Sequence, residues 1–230
     1  MSVVALVPAA GRGERLGMDV AKAFVPIAGH PLLWHAVRGV LDSGCVDAVV
    51  VAAPPSDVDR AAATLATLGD AVSVIAGGRT RVESVRLALD HALTALREPP
   101  GIDVVLVHDA ARAFTPPAVF TAVVAAVRSG RGAVIPVLPL VDTVKQVDGA
   151  GRIMSTVDRS TLRSVQTPQG FAPDVLRRAH LVAAGRDGVT DDAGLVEALG
   201  EPVHAVPGDP AGFKITTAFD LALAESVLAR

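Results

Sequence analysis

The sequence predicts an α/β chain built on a Rossmann-like, mostly parallel sheet flanked by helices, with a β-hairpin arm protruding from it. Three observations carry this expectation. Short apolar runs recur at Val3 to Val7, Val46 to Ala53, Val72 to Ala76, Val104 to Val107 and Ala133 to Val137. Segments with helical apolar spacing, such as Leu32 to Leu41 and Val82 to Leu96, separate them, which is the rhythm of βαβ units. From Leu140 onward the pattern changes to two alternating segments around an Asp-Gly turn.

Composition bounds the reading. At 230 residues and 50% hydrophobic content the chain has ample core for one domain over 1–230, and no linker-like segment or internal repeat divides it. A net charge of −3, from 21 basic and 24 acidic residues, leaves no basic footprint, and 3% aromatic content leaves little for base stacking; nucleic acid is not an expected partner. No uncharged apolar run reaches the ~18 residues of a membrane span. The first apolar run is too short for a secretory leader and is followed by Arg12 and Glu14, so the expected location is cytoplasmic. One cysteine, Cys45, excludes an intramolecular disulfide and a cysteine metal cluster.

Taken in order, Val3 to Val7 suits a strand covered on both faces. The loop after it, Pro8-Ala9-Ala10-Gly11-Arg12-Gly13-Glu14-Arg15-Leu16-Gly17, leads to Lys22. Its glycines permit a sharp turn that leaves backbone N–H groups aimed above the sheet, and with Arg12, Arg15 and Lys22 these form an anion site suited to a triphosphate. A dinucleotide fingerprint would need a third Gly where Leu16 stands, and a P-loop would need Gly-Lys-Ser/Thr where Gly13-Glu14-Arg15 stands. Alone, the loop is equally compatible with an ordinary strand-to-helix turn carrying solvated cations.

In a parallel sheet, ligands bind beyond the carboxyl ends of the strands. The third run is followed there by Gly77-Gly78-Arg79-Thr80-Arg81, which repeats the anion-site logic, and the fourth by His108-Asp109-Ala110-Ala111-Arg112. Asp109 at the end of a hydrophobic strand either pairs with an Arg or holds a cation, and beside a triphosphate Mg²⁺ is the natural choice. His108 is assigned to packing or hydrogen bonding, because Mg²⁺ prefers oxygen ligands.

Further on, Asp142 to Val147 and Ile153 to Val157 flank Asp148-Gly149-Ala150-Gly151 as the hairpin, in an arm at approximately 139–160. A two-stranded ribbon is marginal by itself, so the arm predicts a homodimer. Asp191 and Asp192 are candidate caps for a helix over Ala193 to Leu199, and Thr216 or Thr217 for the last helix.

Taken together, the opening loop with Lys22, Gly78 and Arg81, His108-Asp109-Ala110-Ala111-Arg112, Asp142-Thr143, Asp158-Arg159, Thr167-Pro168-Gln169, Thr190-Asp191 and Lys214-Ile215-Thr216 resemble the 2-C-methyl-D-erythritol 4-phosphate cytidylyltransferases, in order and over nearly the whole chain. The resemblance implies that CTP and methylerythritol 4-phosphate are converted to a cytidine diphosphate alcohol and pyrophosphate in the non-mevalonate isoprenoid pathway. It implies that Arg15, Lys22, Arg159 and Lys214 are catalytic and that Ala9, Ala10, Gly11, Gly78, Arg81 and Ser84 hold CTP. Arg112, Thr143, Arg159, Thr167 and Thr190 would grip the polyol phosphate, with Thr143 and Arg159 reaching in from the second subunit's arm, and Asp109 would position Mg²⁺. Ala21, Ala113 and Phe213 depart from the family's usual residues without removing a charge the mechanism uses.

Three other readings compete. A cytidylyltransferase acting on ribitol 5-phosphate needs the same CTP loop and a similar phosphate clamp. A non-catalytic nucleotide-binding protein would not require Arg15, Lys22, Asp109, Arg159 and Lys214 together. An NAD-dependent oxidoreductase is opposed by the missing third glycine and the cationic loop.

Overall fold

The computed structural model describes residues 2–9, 21–95, 101–182 and 191–228. The strands of its central sheet are β1 (Ser2–Pro8), followed past the short pair β2 (Pro26–Ile27) and β3 (His30–Pro31) by β4 (Ala48–Ala53), β5 (Val72–Ala76), β6 (Ile102–Val107) and β7 (Ala133–Pro139). The arm strands β8 (Val144–Val147) and β9 (Ile153–Val157) come next, and β10 (Arg163–Val165), β11 (Gln169–Phe171) and β12 (His204–Pro207) complete the sheet. Its strand order is β10-β7-β11-β6-β1-β4-β5, with β12 also paired to β7. Pairs β1·β4, β1·β6, β4·β5 and β7·β12 are parallel, while β10 and β11 join antiparallel to β7 and β6.

Strand residues divide between two cores by the pleat, because successive side chains point to opposite faces. Val3, Ala5, Val7, Val49 and Val51 meet α1 (Leu32–Asp42), α2 (Val58–Leu65) and α4 (Pro117–Arg128) through Leu33, Val37, Leu65, Phe120 and Val123. Val4, Leu6, Val50 and Ala52 meet α3 (Arg81–Ala95), α5 (Pro173–Val182) and α6 (Asp192–Glu197) through Val85, Leu89, Leu176 and Leu195. Burial on both faces is why Val3 to Val7 read as an unbroken apolar run. Phe213, one of the departures from the family pattern, packs against the first core.

Two local expectations need correction. The second strand starts at Ala48 rather than Val46, because the Asp47 carboxylate accepts from Val3 N at 2.7 Å and Asp47 N donates to Val3 O at 2.9 Å. The arm is a separate two-stranded sheet as expected, but its turn is wider than an Asp148-Gly149 pair. Asp148 Oδ1 accepts from Ala150 N and Arg152 N, both at 2.9 Å, and the positive φ of +82° falls on Gly151. The loop is closed by the Asp148 side chain, with Gly151 in the left-handed region that its turn requires.

The last helix, α7 (Ala218–Leu228), is capped reciprocally, Thr217 Oγ1 accepting from Asp220 N and Asp220 Oδ2 accepting from Thr217 N. Asp191 caps α6 by accepting from Gly194 N, as expected, whereas Asp192 is engaged elsewhere. Among the described residues no helix is long and apolar enough to cross a membrane.

Candidate active site

Beyond the carboxyl end of β6, the chain turns outward at Asp109 because Thr167 Oγ1 accepts its N–H at 3.0 Å. The same hydroxyl contacts Nδ1 of His108 at 3.1 Å, and the His108 ring lies 5.0 Å from that of Phe120. Complete burial pushes the His108 pKa down to about 4, against the pull of Asp109, so the ring is neutral at physiological pH. His108 is therefore a buried support, in line with its assignment from sequence.

The Asp109 carboxylate is shared by two cations. Oδ1 accepts from Arg81 Nε at 3.1 Å, and Oδ2 accepts from Lys214 Nζ at 2.8 Å. Burial opposes its charge, yet Arg81 and Lys214 hold its pKa well below the usual carboxylate range. Arg81, the first residue of α3, also donates from Nη1 to Asp192 Oδ2 at 2.6 Å. Asp192 is fully buried and stays ionised because Arg81 and His180 together outweigh its desolvation.

Two buried glutamines hold the surrounding backbone. Gln166 exchanges hydrogen bonds with Asp209, Nε2 donating to its O at 2.8 Å and Oε1 accepting its N–H at 3.0 Å. Ile215 N donates to Ala111 O at 2.8 Å, and the Ile215 side chain is completely buried, which fixes Lys214 beside the Asp109 loop. Gln169 donates to Asp191 Oδ2 at 2.6 Å and accepts from Ala193 N at 3.1 Å.

Arg112 reaches across the same space, its Nη1 donating to Gly212 O at 2.7 Å and its Nη2 to Val165 O at 3.0 Å. Its buried Nε has no partner, and burial lowers its pKa while Asp109 opposes that. The guanidinium remains charged and faces a cleft of about 180 Å³ that Arg81, Asp109, Thr167, Asp191 and Lys214 also line.

Sequence-assigned residues therefore fall into four groups. Arg81, Asp109, Arg112, Thr167 and Lys214 meet around one cleft. Ser84 is buried beneath the Gly77-Gly78 loop, accepting from Gly78 N at 3.1 Å and donating to Thr80 O at 2.8 Å, while Ala9 is buried at the end of β1 and Lys22 opens a short helical turn, Lys22–Phe24. Thr143 and Arg159 lie exposed on the arm and do not line this cleft; Arg159 Nη1 donates to Val141 O. Ala10, Gly11, Arg15 and Thr190 lie outside the described residues. The sequence reading missed Asp192, His180, Gln166 and Gln169 as organisers of the site. The signal available was polar residues set in apolar surroundings, as in Ala179-His180-Leu181.

Mg²⁺ can be tested against these donors. Among the described residues no group of three or more His, Cys, Asp or Glu side chains gathers to hold a metal. A single carboxylate still fits an ion that phosphates mainly coordinate, since Mg²⁺ commonly takes one or two carboxylates together with substrate phosphates. Asp109 fits that role, since it lines the cleft with its carboxylate held in place by Arg81 and Lys214.

The model of the family described as 2-C-methyl-D-erythritol 4-phosphate cytidylyltransferase (IspD) matches residues 3–230. The enzyme of that name from Saccharopolyspora erythraea is 62% identical over 100% of both chains, and that from Nocardia farcinica is 54% identical over 100% of this chain and 95% of its own. Among solved structures, the enzyme of that name from Thermus thermophilus superposes with a TM-score of 0.80 at 37% identity, covering 100% of both chains. The 4-diphosphocytidyl-2C-methyl-D-erythritol synthase of Anaerococcus prevotii gives 0.83 at 26% identity, over 100% of this chain and 99% of that one. With relatives of this identity matched from end to end, the chain belongs to the 2-C-methyl-D-erythritol 4-phosphate cytidylyltransferase family.

Proposed function

We propose that the protein transfers the cytidylyl group of CTP to 2-C-methyl-D-erythritol 4-phosphate, forming 4-diphosphocytidyl-2-C-methyl-D-erythritol and pyrophosphate for non-mevalonate isoprenoid synthesis in the cytoplasm. The observation that carries this reading is the convergence of Arg81, Arg112 and Lys214 on the cleft beside Asp109, in a chain whose whole length matches the family.

In this reading a phosphate oxygen of the polyol attacks the α-phosphorus of CTP, and the bond to the bridging oxygen of pyrophosphate breaks. The attacking group is already an anion at neutral pH, so positioning and charge neutralisation matter more than a general base. When bound with the triphosphate, Mg²⁺ neutralises phosphate charge, and Asp109 is the residue that would hold it. Arg15 and Lys22 hold the triphosphate. Lys214 leaves Asp109 for the charge that builds on the transferring phosphate; its side chain is 43% exposed and able to swing. Ala9, Ala10, Gly11, Gly78 and Arg81 bind the nucleotide, with Ser84 setting the Gly78 loop.

A cleft of about 180 Å³ suits a small polyol phosphate, whereas larger ligands occupy sites from roughly 300 Å³ upward; the nucleotide then extends beyond it towards β1. Arg112, Thr167 and Thr190 grip the polyol phosphate. Thr143 and Arg159 come from the arm of a second subunit in a homodimer. Val141, Val147, Ile153 and Met154, all more than half exposed on the arm, support that assembly.

The test is pyrophosphate release from CTP with Mg²⁺, offering methylerythritol 4-phosphate and ribitol 5-phosphate in parallel, with Lys22→Ala as control. Release with methylerythritol 4-phosphate alone, lost in the variant, is expected. Release only with ribitol 5-phosphate overturns the substrate, and silence with both overturns the activity.

A further inference from the structure

We infer that His180 and Asp192 form a buried strut that orients the Arg81 guanidinium and, through it, the Asp109 carboxylate and Lys214; this rests on the function proposed above. The contacts run unbroken from α5 to the cleft. His180 Nε2 lies 3.0 Å from Asp192 Oδ1, Asp192 Oδ2 2.6 Å from Arg81 Nη1, Arg81 Nε 3.1 Å from Asp109 Oδ1, and Asp109 Oδ2 2.8 Å from Lys214 Nζ. Five separate segments contribute one residue each: α5, the start of α6, the start of α3, the loop after β6 and the segment before α7.

The cost of the strut argues for a positioning role. The side chains of His180 and Asp192 are 2% and 0% exposed, and a carboxylate removed from water must be fully paired to be tolerated. Apolar residues would fill this space without that penalty, and α5 and α6 otherwise supply Leu176, Leu195 and Val196 to the core. An ionised carboxylate only accepts, so His180 Nε2 carries the proton; its Nδ1 is left buried without a partner. What the arrangement provides is a second fixed point for Arg81. One contact at Nε leaves the guanidinium free to rotate, whereas contacts at Nε and Nη1 to two carboxylates fix its plane and therefore the donors it turns towards the cleft.

His180 and Asp192 are positioning residues: neither lines the cleft. His180→Leu removes the outer anchor and His180→Gln keeps a donor able to reach Asp192. The expected loss in turnover for His180→Leu is roughly 10- to 100-fold, as for supports of reacting groups elsewhere, with most of it recovered in His180→Gln. Adding His180→Leu to Arg81→Lys should then cost less than twofold more, because the strut acts through Arg81.

Multiplicative losses in the double variant, or a loss that tracks the melting temperature and is not recovered by Gln, overturn the strut. If His180→Leu does not fold, Asp192→Asn takes its place, keeping shape while removing the ionic anchor; turnover equal to wild type then overturns the strut. If the wild-type protein is itself inactive, the proposed function fails separately. The strut is then judged by the affinity of inorganic pyrophosphate in calorimetry: weakening in His180→Leu but not in His180→Gln supports it, and unchanged affinity overturns it.

Discussion

Replacing Gly170 by Ala tests how tightly β11, whose Gln169 lines the cleft, is packed against α4. Gly170 lies in β11 between the paired strands β6 and β7, with α4 across its face. A Cβ built there would stand 2.3 Å from Val123 Cγ1, 3.1 Å from Val127 Cγ2 and 3.3 Å from Leu106 Cδ2. Ordinary contact begins near 3.4 Å, so α4 and β11 must separate by about 1 Å, because Val123 is β-branched on a helix and has little rotamer freedom to yield. Overpacking of this kind costs about 1–3 kcal/mol, and at this chain length each kcal/mol lowers the melting temperature by about 2–4 °C. Calorimetric or circular-dichroism melting should therefore show a fall of roughly 2–12 °C. The neighbouring Gln169 holds Asp191 and the start of α6, so turnover should fall as well. Gly149→Ala is the control, since nothing lies within 4 Å of its Cβ and its φ is not positive. A Gly170→Ala protein that melts with the wild type would refute the packing argument.

Asp109→Asn removes the carboxylate charge between Arg81 and Lys214 and replaces one of its two accepting oxygens by an NH2 group, so only one of the two contacts can persist. With Lys214 partly exposed the stability loss should be only about 1–2 kcal/mol, while turnover drops roughly tenfold or more and half-saturation by Mg²⁺ moves upward in a metal titration. Ile153→Asp, at an arm position 60% exposed, tests the proposed homodimer: on that proposal it should shift the protein to monomers in analytical ultracentrifugation and abolish turnover, since Thr143 and Arg159 are there supplied by the partner's arm. His108 makes stability depend on pH: the folded ring resists protonation down to about 4 and the unfolded one takes a proton near 6.5, so its contribution is complete above 6.5 and is lost as pH falls towards 4. The window corresponds to a loss on the order of 3 kcal/mol, with Asp109 and Arg112 as the charges acting on the ring. Urea unfolding across it should show that slope, and His108→Gln should flatten it.

The parallel strands and the helices over Leu32 to Leu41 and Val82 to Leu96 were legible because two-sided burial and helical periodicity are properties of local spacing. The positions of Arg81 after β5 and of Asp109 and Arg112 after β6 were legible for a similar reason, since each follows closely on its strand. The antiparallel strands β10 and β11 were not, since three-residue segments such as Arg163–Val165 and Gln169–Phe171 carry too few side chains to show a period. By spacing alone Asp191 and Asp192 are equal candidates to cap α6, and it is Asp191 that caps it. Which of two adjacent carboxylates turns outward depends on where α3 brings Arg81, a residue 111 positions away.

The α/β class, the rim beyond β5 and β6 where Arg81, Asp109 and Arg112 gather, the hairpin arm and the family follow from patterns within a few residues or from the order of motifs along the chain. That Asp109 is shared between Arg81 and Lys214, that Thr167 Oγ1 accepts from Asp109 N and Ser84 Oγ from Gly78 N, and that His180 reaches the site through Asp192 appear only once the chain is folded. Those pairings join residues far apart in the chain, and a carboxylate's partner is chosen by distance and burial in the folded state, neither of which local spacing encodes.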